Sequence, residues 1–205
     1  MGYTTDYVGH LTIAPRLNEE EIEYLQAFSM SRRCQREGGP YAVPGNPRAE
    51  QSDDFPAGTY STQAAGQPNL WCDWVPCWEG ECLTWSGKEK SYSMVAWLRY
   101  LIAHFLKPGA SAQGHPGFEG FTFDHVVSGM VVGCRRDTKE LFAVRAARNR
   151  VRTRVLNPGE PAWAAYPALP YETEIDRWQV RRRRRRPRVD QPTDNVVDLR
   201  RTSGS

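Results

Sequence analysis

The chain has 205 residues, 40% of them hydrophobic, which is enough for one globular domain with a real core and an additional tail. No apolar run approaches the roughly 18 residues that cross a bilayer, and the first residues lack the basic and apolar regions of a signal peptide. We therefore expect a cytoplasmic protein with no membrane partner. The net charge of +3 is uneven: residues 1–150 hold 15 Lys or Arg against 17 Asp or Glu, whereas residues 151–205 hold 12 against 7.

The first predicted elements are a strand and a helix. Apolar positions alternate with polar ones over residues 7–13, which is the period of a half-buried strand. After Pro15, Asn18 is placed to cap a helix, and Glu21 is placed to complete a capping box. The pattern predicts a helix over residues 19–30. Its acidic first turn suits the positive end of the helix dipole.

Residues 31–69 contain several Gly and Pro turn signals and no sustained periodicity, so they are predicted to form one long irregular loop. Loops longer than about 15 residues are uncommon inside compact domains. The segment is therefore either a functional loop or a disordered insertion, and the sequence leaves both interpretations open.

The segment WCDWVPCWEGECLTW, residues 71–85, holds four of the seven tryptophans and three of the five cysteines. It predicts a β-hairpin with strands over residues 70–75 and 83–85. Its expected buried face consists of Trp71, Val75, Leu83 and Trp85. The opposite face would leave Trp74 or Trp78 exposed as a contact surface.

The strongest helical signal lies downstream, where apolar residues recur every three or four positions from Met94 to Phe105. Four short strands separated by turns follow, predicted over residues 121–127, 130–134, 141–146 and 151–155. This order predicts an α+β fold: a two-layer sandwich of a mostly antiparallel sheet with two main helices on one face, ferredoxin-like or related. We assign residues 1–155 to this domain, and the Pro- and Arg-rich residues 156–205 to a flexible tail.

The five cysteines are an odd number in a chain without an export signal, which favours free thiols over a disulfide framework. Cys72, Cys77 and Cys82 are separated by four residues each, whereas structural zinc sites prefer a closer spacing and need a fourth ligand. We therefore expect no metal and no cofactor. A zinc-stapled nucleic-acid-binding module is kept as an alternative.

Standard enzyme signatures, including the phosphate loop, the dinucleotide-binding turn and the nucleophile elbow, are absent from the sequence. His104 lies beside the apolar stripe of the second helix and is interpreted as structural. If His10 and His125 faced the same open side of the sheet, they could form a site with Asp6 or Asp124. Whether the protein is an enzyme stays open, and the enzymatic alternative places a site near the tryptophan hairpin with the long loop as a lid.

The strongest electrostatic feature is a run of six arginines near the C-terminus. It consists of Arg181, Arg182, Arg183, Arg184, Arg185 and Arg186. Contiguous like charges stay solvated and can displace counterions from a phosphate backbone. The run indicates either nucleic-acid binding or merely non-specific attraction to polyanions.

Several segments, including GYTTDY, GQPNLWCDW, GKEKSY and WLRYLI, resemble a family of uncharacterised small proteins encoded by tailed phages and high-GC actinobacteria. The resemblance covers roughly residues 2–151 and excludes the tail. It implies no activity and no catalytic residues. Its segments point to a site that combines the end of the long loop, the tryptophan hairpin, Glu89 and Lys90.

The favoured interpretation is a binding module whose arginine tail adds non-specific nucleic-acid affinity. The expected partner is nucleic acid or another protein, and the oligomeric state stays open. Outside the tail, the predicted contact residues are Trp74, Trp78, Glu89 and Lys90.

Overall fold

The structure is a computed structural model that describes residues 4–47, 49–88, 90–160, 172–174, 177 and 181. The chain divides into two compact units, Met1–Leu169 and Pro170–Ser205. The first unit contains these elements in chain order: β1 Thr5–Ala14, α1 Glu19–Met30, β2 Trp74–Pro76, β3 Cys82–Trp85, α2 Met94–Leu101, β4 Val126–Arg135, β5 Leu141–Ala147 and β6 Arg150–Asn157. In the second unit, the described residues are helical.

The described strands form one antiparallel sheet in the order β2-β3-β1-β4-β5-β6. One face of this sheet carries Tyr7, Leu11 and Ile13, which share a hydrophobic core with Phe28 of α1 and Trp97 of α2. We call this the inner face, and the opposite face, which carries the even-numbered residues of β1, the outer face. A sheet combined with helices in one core confirms the predicted α+β class. No helix among the described residues is long and apolar enough to span a membrane.

The predicted first strand and first helix are both confirmed. Asn18 Oδ1 accepts a hydrogen bond from the Glu21 backbone N–H at 3.0 Å, and Glu21 Oε2 accepts one from the Asn18 N–H at 2.8 Å. This is the predicted capping box, which satisfies two backbone donors that a helix start leaves open.

The buried face of the tryptophan hairpin was predicted wrongly for its first strand. β2 begins only at Trp74, and the register pairs Trp74 with Trp85 on the inner face. Trp74 is fully buried and donates from Nε1 to the Met94 carbonyl at 2.7 Å. Trp71 and Val75 are only half-buried or exposed. Because residues 71–73 are not part of the strand, the alternation counted from Trp71 assigns the side chains of β2 to the wrong face, whereas Leu83 and Trp85 of β3 are buried as predicted.

The two strands predicted over residues 121–127 and 130–134 are replaced by one strand, β4, which begins only at Val126; residues 121–125 are not strand. The predicted turn at Ser128–Gly129 is wrong, because both residues pair with β1, opposite Thr12 and Leu11. Gly129 has φ of 124°, and a Cβ there would lie 3.3 Å from the His10 carbonyl oxygen. Glycine is therefore used here for close strand contact and not for a turn.

Gly133 on β4 makes room for an aromatic contact in the core. The Phe142 ring lies over it and meets the Tyr7 ring edge-on at a centroid distance of 5.8 Å. A Cβ at position 133 would lie 2.7 Å from Phe142 Cε2. We expect Gly133→Ala to lower the free energy of unfolding by about 1–3 kcal/mol in chemical denaturation, because the ring must leave its place. Gly45→Ala is the control, since no atom lies within 4 Å of its Cβ position; equal losses in the two variants would contradict the explanation.

The second helix and the long loop meet in the core. α2 is confirmed over the predicted stripe and continues into a π-helical turn, Ile102–Leu106. The loop, residues 31–69, contains two short 3-10 turns, Ser52–Asp54 and Thr59–Ser61. Arg33 is completely buried: its guanidinium bonds to other residues of the loop and lies 3.8 Å from the ring centroid of Phe28 in α1.

Candidate nucleic-acid interface

β5 and β6 form a hairpin that is closed by the two-residue turn Arg148–Asn149. Both turn residues have positive φ, 49° and 67°, as the type I′ turns of tight hairpins require. Asn149 also ties the turn to the start of β4. Its Oδ1 accepts from the Val127 N–H at 2.7 Å, and its Nδ2 donates to the His125 carbonyl at 2.9 Å. The hairpin is thus held in a fixed position on the sheet.

This hairpin, residues 141–157, contains five arginines and no Asp or Glu. They are Arg145, Arg148, Arg150, Arg152 and Arg154. All five side chains are exposed. None of them forms an ion pair with any residue in the described part of the chain. The hairpin therefore presents five charges that the described fold does not neutralise.

Two of these arginines begin a row of side chains that runs across the whole outer face. In order from β6 to β2, the row consists of Arg152, Arg145, Met130, His10, Thr84 and Val75. Neighbouring strands lie about 4.8 Å apart, so the row is about 24 Å long. Met130 is 54% exposed and His10 is exposed, which leaves the middle of the row accessible.

The outer face has a basic edge and a mixed centre. Arg150 and Arg154 flank Arg152 on the same face of β6, and alternate residues of a strand are about 7 Å apart. Toward the centre, Val8 is 41% exposed beside Met130 and His10. Thr84 and Ala143 on the same face are buried, so the accessible area is the centre around Met130 and His10, with cations along its β6 side.

The pairing of Arg145 with Arg152 does not contribute to stability. The two side chains are directly opposite each other on adjacent antiparallel strands. Like charges in this position are destabilising, and neither arginine has an acidic partner among the described residues. An external anion is the partner that would relieve this repulsion.

A second basic and aromatic cluster surrounds Trp71. Lys88 Nζ lies 4.5 Å from the Trp71 ring centroid, and the Arg32 guanidinium lies 5.6 Å from it. Arg32 also lies 4.5 Å above the Tyr60 ring. The long loop, the tryptophan segment and the residues before α2 therefore meet around Trp71. Here, however, the cations already have aromatic partners within the protein, in contrast to the hairpin arginines.

The predicted contact residues have different outcomes. Trp74 is wrong as a contact residue, because it is buried on the inner face. Trp78 is 62% exposed in the turn between β2 and β3, at the edge of the sheet opposite β6. Lys90 and Arg181 are exposed. Glu89 and Arg182–Arg186 lie outside the described residues.

The predicted histidine site on one open face is wrong. His10 is exposed on the outer face, whereas His125 precedes β4 and is buried. His125 Nε2 lies 3.0 Å from Glu21 Oε1, and Nδ1 lies 2.8 Å from the Pro15 carbonyl oxygen. Asp6 is also buried, in an ion pair with Arg136 at 2.5 Å. These groups join elements of the fold and do not form a shared site with His10.

Ionisable groups near the tryptophan hairpin and the long loop are enclosed. Burial raises the pKa of Asp73, against the opposing effects of a Ser91 hydrogen bond and the Lys88 charge. Burial also lowers the pKa of His104, whose Nδ1 lies 2.7 Å from Tyr41 Oη. The expected structural role of His104 agrees with this contact and with its stacking on Tyr100. The enzymatic alternative stays a prediction.

The cysteines are all free. Cys72 is completely buried beside Ser29, whereas Cys77 and Cys82 are partly exposed. Within the described ranges, no three His, Cys, Asp or Glu side chains form a group that could hold a metal ion.

Comparisons with protein-family models, with curated proteins and with solved structures find no match to this chain.

Proposed function

We propose that this protein binds single-stranded nucleic acid on the outer face of its sheet, with the arginines of the β5–β6 hairpin contacting phosphates. The observation that carries the proposal is the opposed pair Arg145 and Arg152, within a hairpin that has five arginines and no acid. Phosphates are the most abundant repeated anions in biological polymers, and neutralising them releases condensed counterions. The repulsion between the two arginines destabilises the free protein, and a bound phosphate relieves it.

The shape of the face supports a single strand over a duplex. The major groove of B-DNA is about 12 Å wide and admits a helix or a two-stranded ribbon. A six-stranded face about 24 Å wide does not enter it. An unpaired strand can lie across the sheet, with phosphates on the hairpin and bases against Met130, His10 and Val8.

The proposal includes a ferredoxin-like fold and a family relationship. Elements β1 to β4 follow the order β-α-β-β-α-β, with neighbours β2-β3-β1-β4, all antiparallel. This supports a ferredoxin-like, two-layer unit that β5 and β6 extend at the β4 edge. We also propose that the protein is related to the family of phage and actinobacterial proteins. This relationship would make a phage or host nucleic acid the target. The arginine run of the tail adds non-specific affinity.

The test compares Arg145→Gln/Arg152→Gln with a matched control, Arg16→Gln/Lys107→Gln, which removes one exposed and one half-exposed charge elsewhere. The probe is a labelled single-stranded DNA longer than the roughly 4–16 nucleotides that such modules cover, measured by fluorescence polarisation at several salt concentrations. The salt slope is the slope of the logarithm of the binding constant against the logarithm of the salt concentration. Each lost phosphate contact lowers its magnitude by about 0.7, so the magnitude for the hairpin variant should fall by about 1.4. The variant should also bind about tenfold more weakly at physiological salt. The control should keep the wild-type slope.

A third variant, with Gln at positions 181–186, distinguishes the affinity that the fold contributes from the affinity that the tail contributes. The proposal is overturned if the hairpin variant keeps the wild-type slope, or if the control loses as much as the hairpin variant. Tighter binding of an equally long duplex would reject the single-strand assignment. Thermal denaturation provides a further check, because relieving the Arg145–Arg152 repulsion should leave the hairpin variant at least as stable as wild type.

A further inference from the structure

Two of the free thiols face each other across the β2–β3 hairpin. The register pairs Val75 with Thr84 and Pro76 with Leu83, so the next pair is Cys77 with Cys82. The Cys77 N–H donates to the Cys82 carbonyl at 2.9 Å, which continues the ladder to this pair. Directly opposed residues have Cα atoms about 4.5–5.5 Å apart, within the range of about 4.4–6.8 Å that a disulfide spans.

The turn that joins the two cysteines is held by its surroundings. The Gly80 N–H donates to the Cys77 carbonyl at 3.1 Å and closes the turn. Two further backbone bonds tie the turn to the end of β1 and to the chain that follows it: Ile13 N–H to the Glu81 carbonyl at 2.8 Å, and Leu17 N–H to the Gly80 carbonyl at 2.9 Å. The thiols are thus presented to each other without a need for backbone movement.

Exposure distinguishes these two cysteines from the other three. Cys77 and Cys82 are partly exposed, whereas Cys34, Cys72 and Cys134 are at most 2% exposed. A small oxidant in solution therefore reaches the hairpin pair first. The remaining thiols serve as internal controls.

We propose that Cys77 and Cys82 are an oxidative modification site, at which hydrogen peroxide converts the opposed thiols into an intrachain disulfide. The inference is independent of nucleic-acid binding, because it concerns the opposite edge of the sheet. It extends the expectation of free thiols: the reduced chain has them, and oxidation joins these two.

Oxidation takes two steps, and either thiol can begin it. The thiolate of one cysteine attacks one peroxide oxygen, the O–O bond breaks, and the other oxygen leaves as water after taking up a proton. The sulfur of the second cysteine then attacks the sulfenic acid sulfur, the S–O bond breaks, and a second water leaves with the proton of that thiol. Two thiols lose two electrons and two protons, and the peroxide is reduced to two waters.

The experiment treats the purified full-length chain with equimolar hydrogen peroxide, then denatures it in N-ethylmaleimide and digests it with a protease that cuts after Glu. Because Glu79 and Glu81 separate the two cysteines, the disulfide links peptide 51–79 to peptide 82–89, and fragmentation in the mass spectrometer places the alkyl group on Cys72 and the bond on Cys77. We expect this linked pair as the main product, with the three buried cysteines alkylated. Dithiothreitol should restore both hairpin thiols.

Variants test the two-step route. In Cys82→Ser and in Cys77→Ser, the remaining hairpin cysteine has no thiol opposite it, so its sulfenic acid should persist and be trapped by dimedone. The control, Cys34→Ala, should form the hairpin disulfide at the wild-type rate. The proposal is overturned if wild type accumulates unresolved sulfenic acid, if it forms disulfides between chains instead, or if a buried cysteine oxidises at the same rate.

Discussion

Arg33→Met is expected to lower the free energy of unfolding by about 4 kcal/mol. The buried guanidinium donates to the Pro40 carbonyl at 2.7 Å, to the Ala42 carbonyl at 3.0 Å and to Ser31 Oγ at 2.8 Å. Methionine fills similar space but leaves these acceptors without their donor, and each buried unsatisfied group costs about 1–3 kcal/mol. Equilibrium denaturation with urea measures the loss.

The same substitution should loosen the long loop, residues 31–69. Both carbonyl acceptors belong to this loop, and Arg33 Nε also lies 3.4 Å from Gln67 Oε1 near its end. Limited proteolysis should therefore cut the loop of the variant faster than that of wild type, at denaturant concentrations where both cores remain folded.

The neighbouring Arg32 provides a matched control. It belongs to the same loop but is only half-buried, with one hydrogen bond to the Tyr60 carbonyl at 2.7 Å and a ring contact to Tyr60. Arg32→Met should lose about 1 kcal/mol. Arg33→Lys should rescue only part of the loss, because a single ammonium group cannot reach acceptors on several sides of the guanidinium plane. Equal losses at positions 32 and 33, or full rescue by lysine, would refute this role.

Patterns within a short stretch of sequence predicted the helices, because a helix is stabilised by residues that are close together in the chain. The capping box of Asn18 and Glu21 and the apolar stripe of α2 are each complete within about one helical segment, and both were confirmed. The face of β2 and the continuity of β4 depend on pairing partners far along the chain. Gly129 reads as a turn until Leu11 is known to lie opposite it.

The candidate interface was missed for a related reason. Arginine counts divided at residue 150 assign Arg145 to the acidic body and Arg152 to the basic end, although the two side chains face each other. A count over the last two predicted strands and the turn between them, residues 141–155, contains the signal: five arginines and no acid. Strand parity then places Arg150, Arg152 and Arg154 on one face. Their position beside Met130 and His10 needed the register.

Buried and exposed arginines have different roles: the first stabilise the fold, and the second serve the proposed function. Arg33 is buried, and protein acceptors surround it, so its removal should affect stability. Arg145 and Arg152 are exposed, and neither has an acidic partner among the described residues, so their removal should affect binding and spare stability. Opposite outcomes in the two measurements are therefore a joint test of both assignments.

The buried pair of Glu21 and His125 should make stability depend on pH. Burial opposes ionisation of Glu21, but hydrogen bonds from His125, Thr122 and Asn18 outweigh it and hold its pKa below the ordinary value of 4.5. Burial also opposes charging of His125, but hydrogen bonds to Glu21 and the Pro15 carbonyl raise its pKa above 6.5. The folded protein thus favours carboxylate and imidazolium together.

These two shifts define a pH window. The lowered pKa of Glu21 contributes stability that is present above about pH 4.5 and lost as pH falls through the folded value. The raised pKa of His125 contributes stability that is present below about pH 6.5 and lost as pH rises through its folded value. The pair should therefore stabilise the protein most between these two values.

Glu21→Gln is expected to lower the free energy of unfolding by about 3 kcal/mol near pH 5.5, because it leaves a buried imidazole without its charged partner. The deficit relative to wild type should shrink on both sides of the window, as measured by denaturation from pH 3 to pH 9. Glu23→Gln, on the exposed side of α1, should show no such maximum.

His125→Gln and the double variant complete a thermodynamic cycle, and a coupling energy near zero at pH 5.5 would contradict the pairing. A positive coupling that disappears at alkaline pH would assign the stabilisation to the charged imidazolium, since the neutral ring keeps its position but loses one N–H donor.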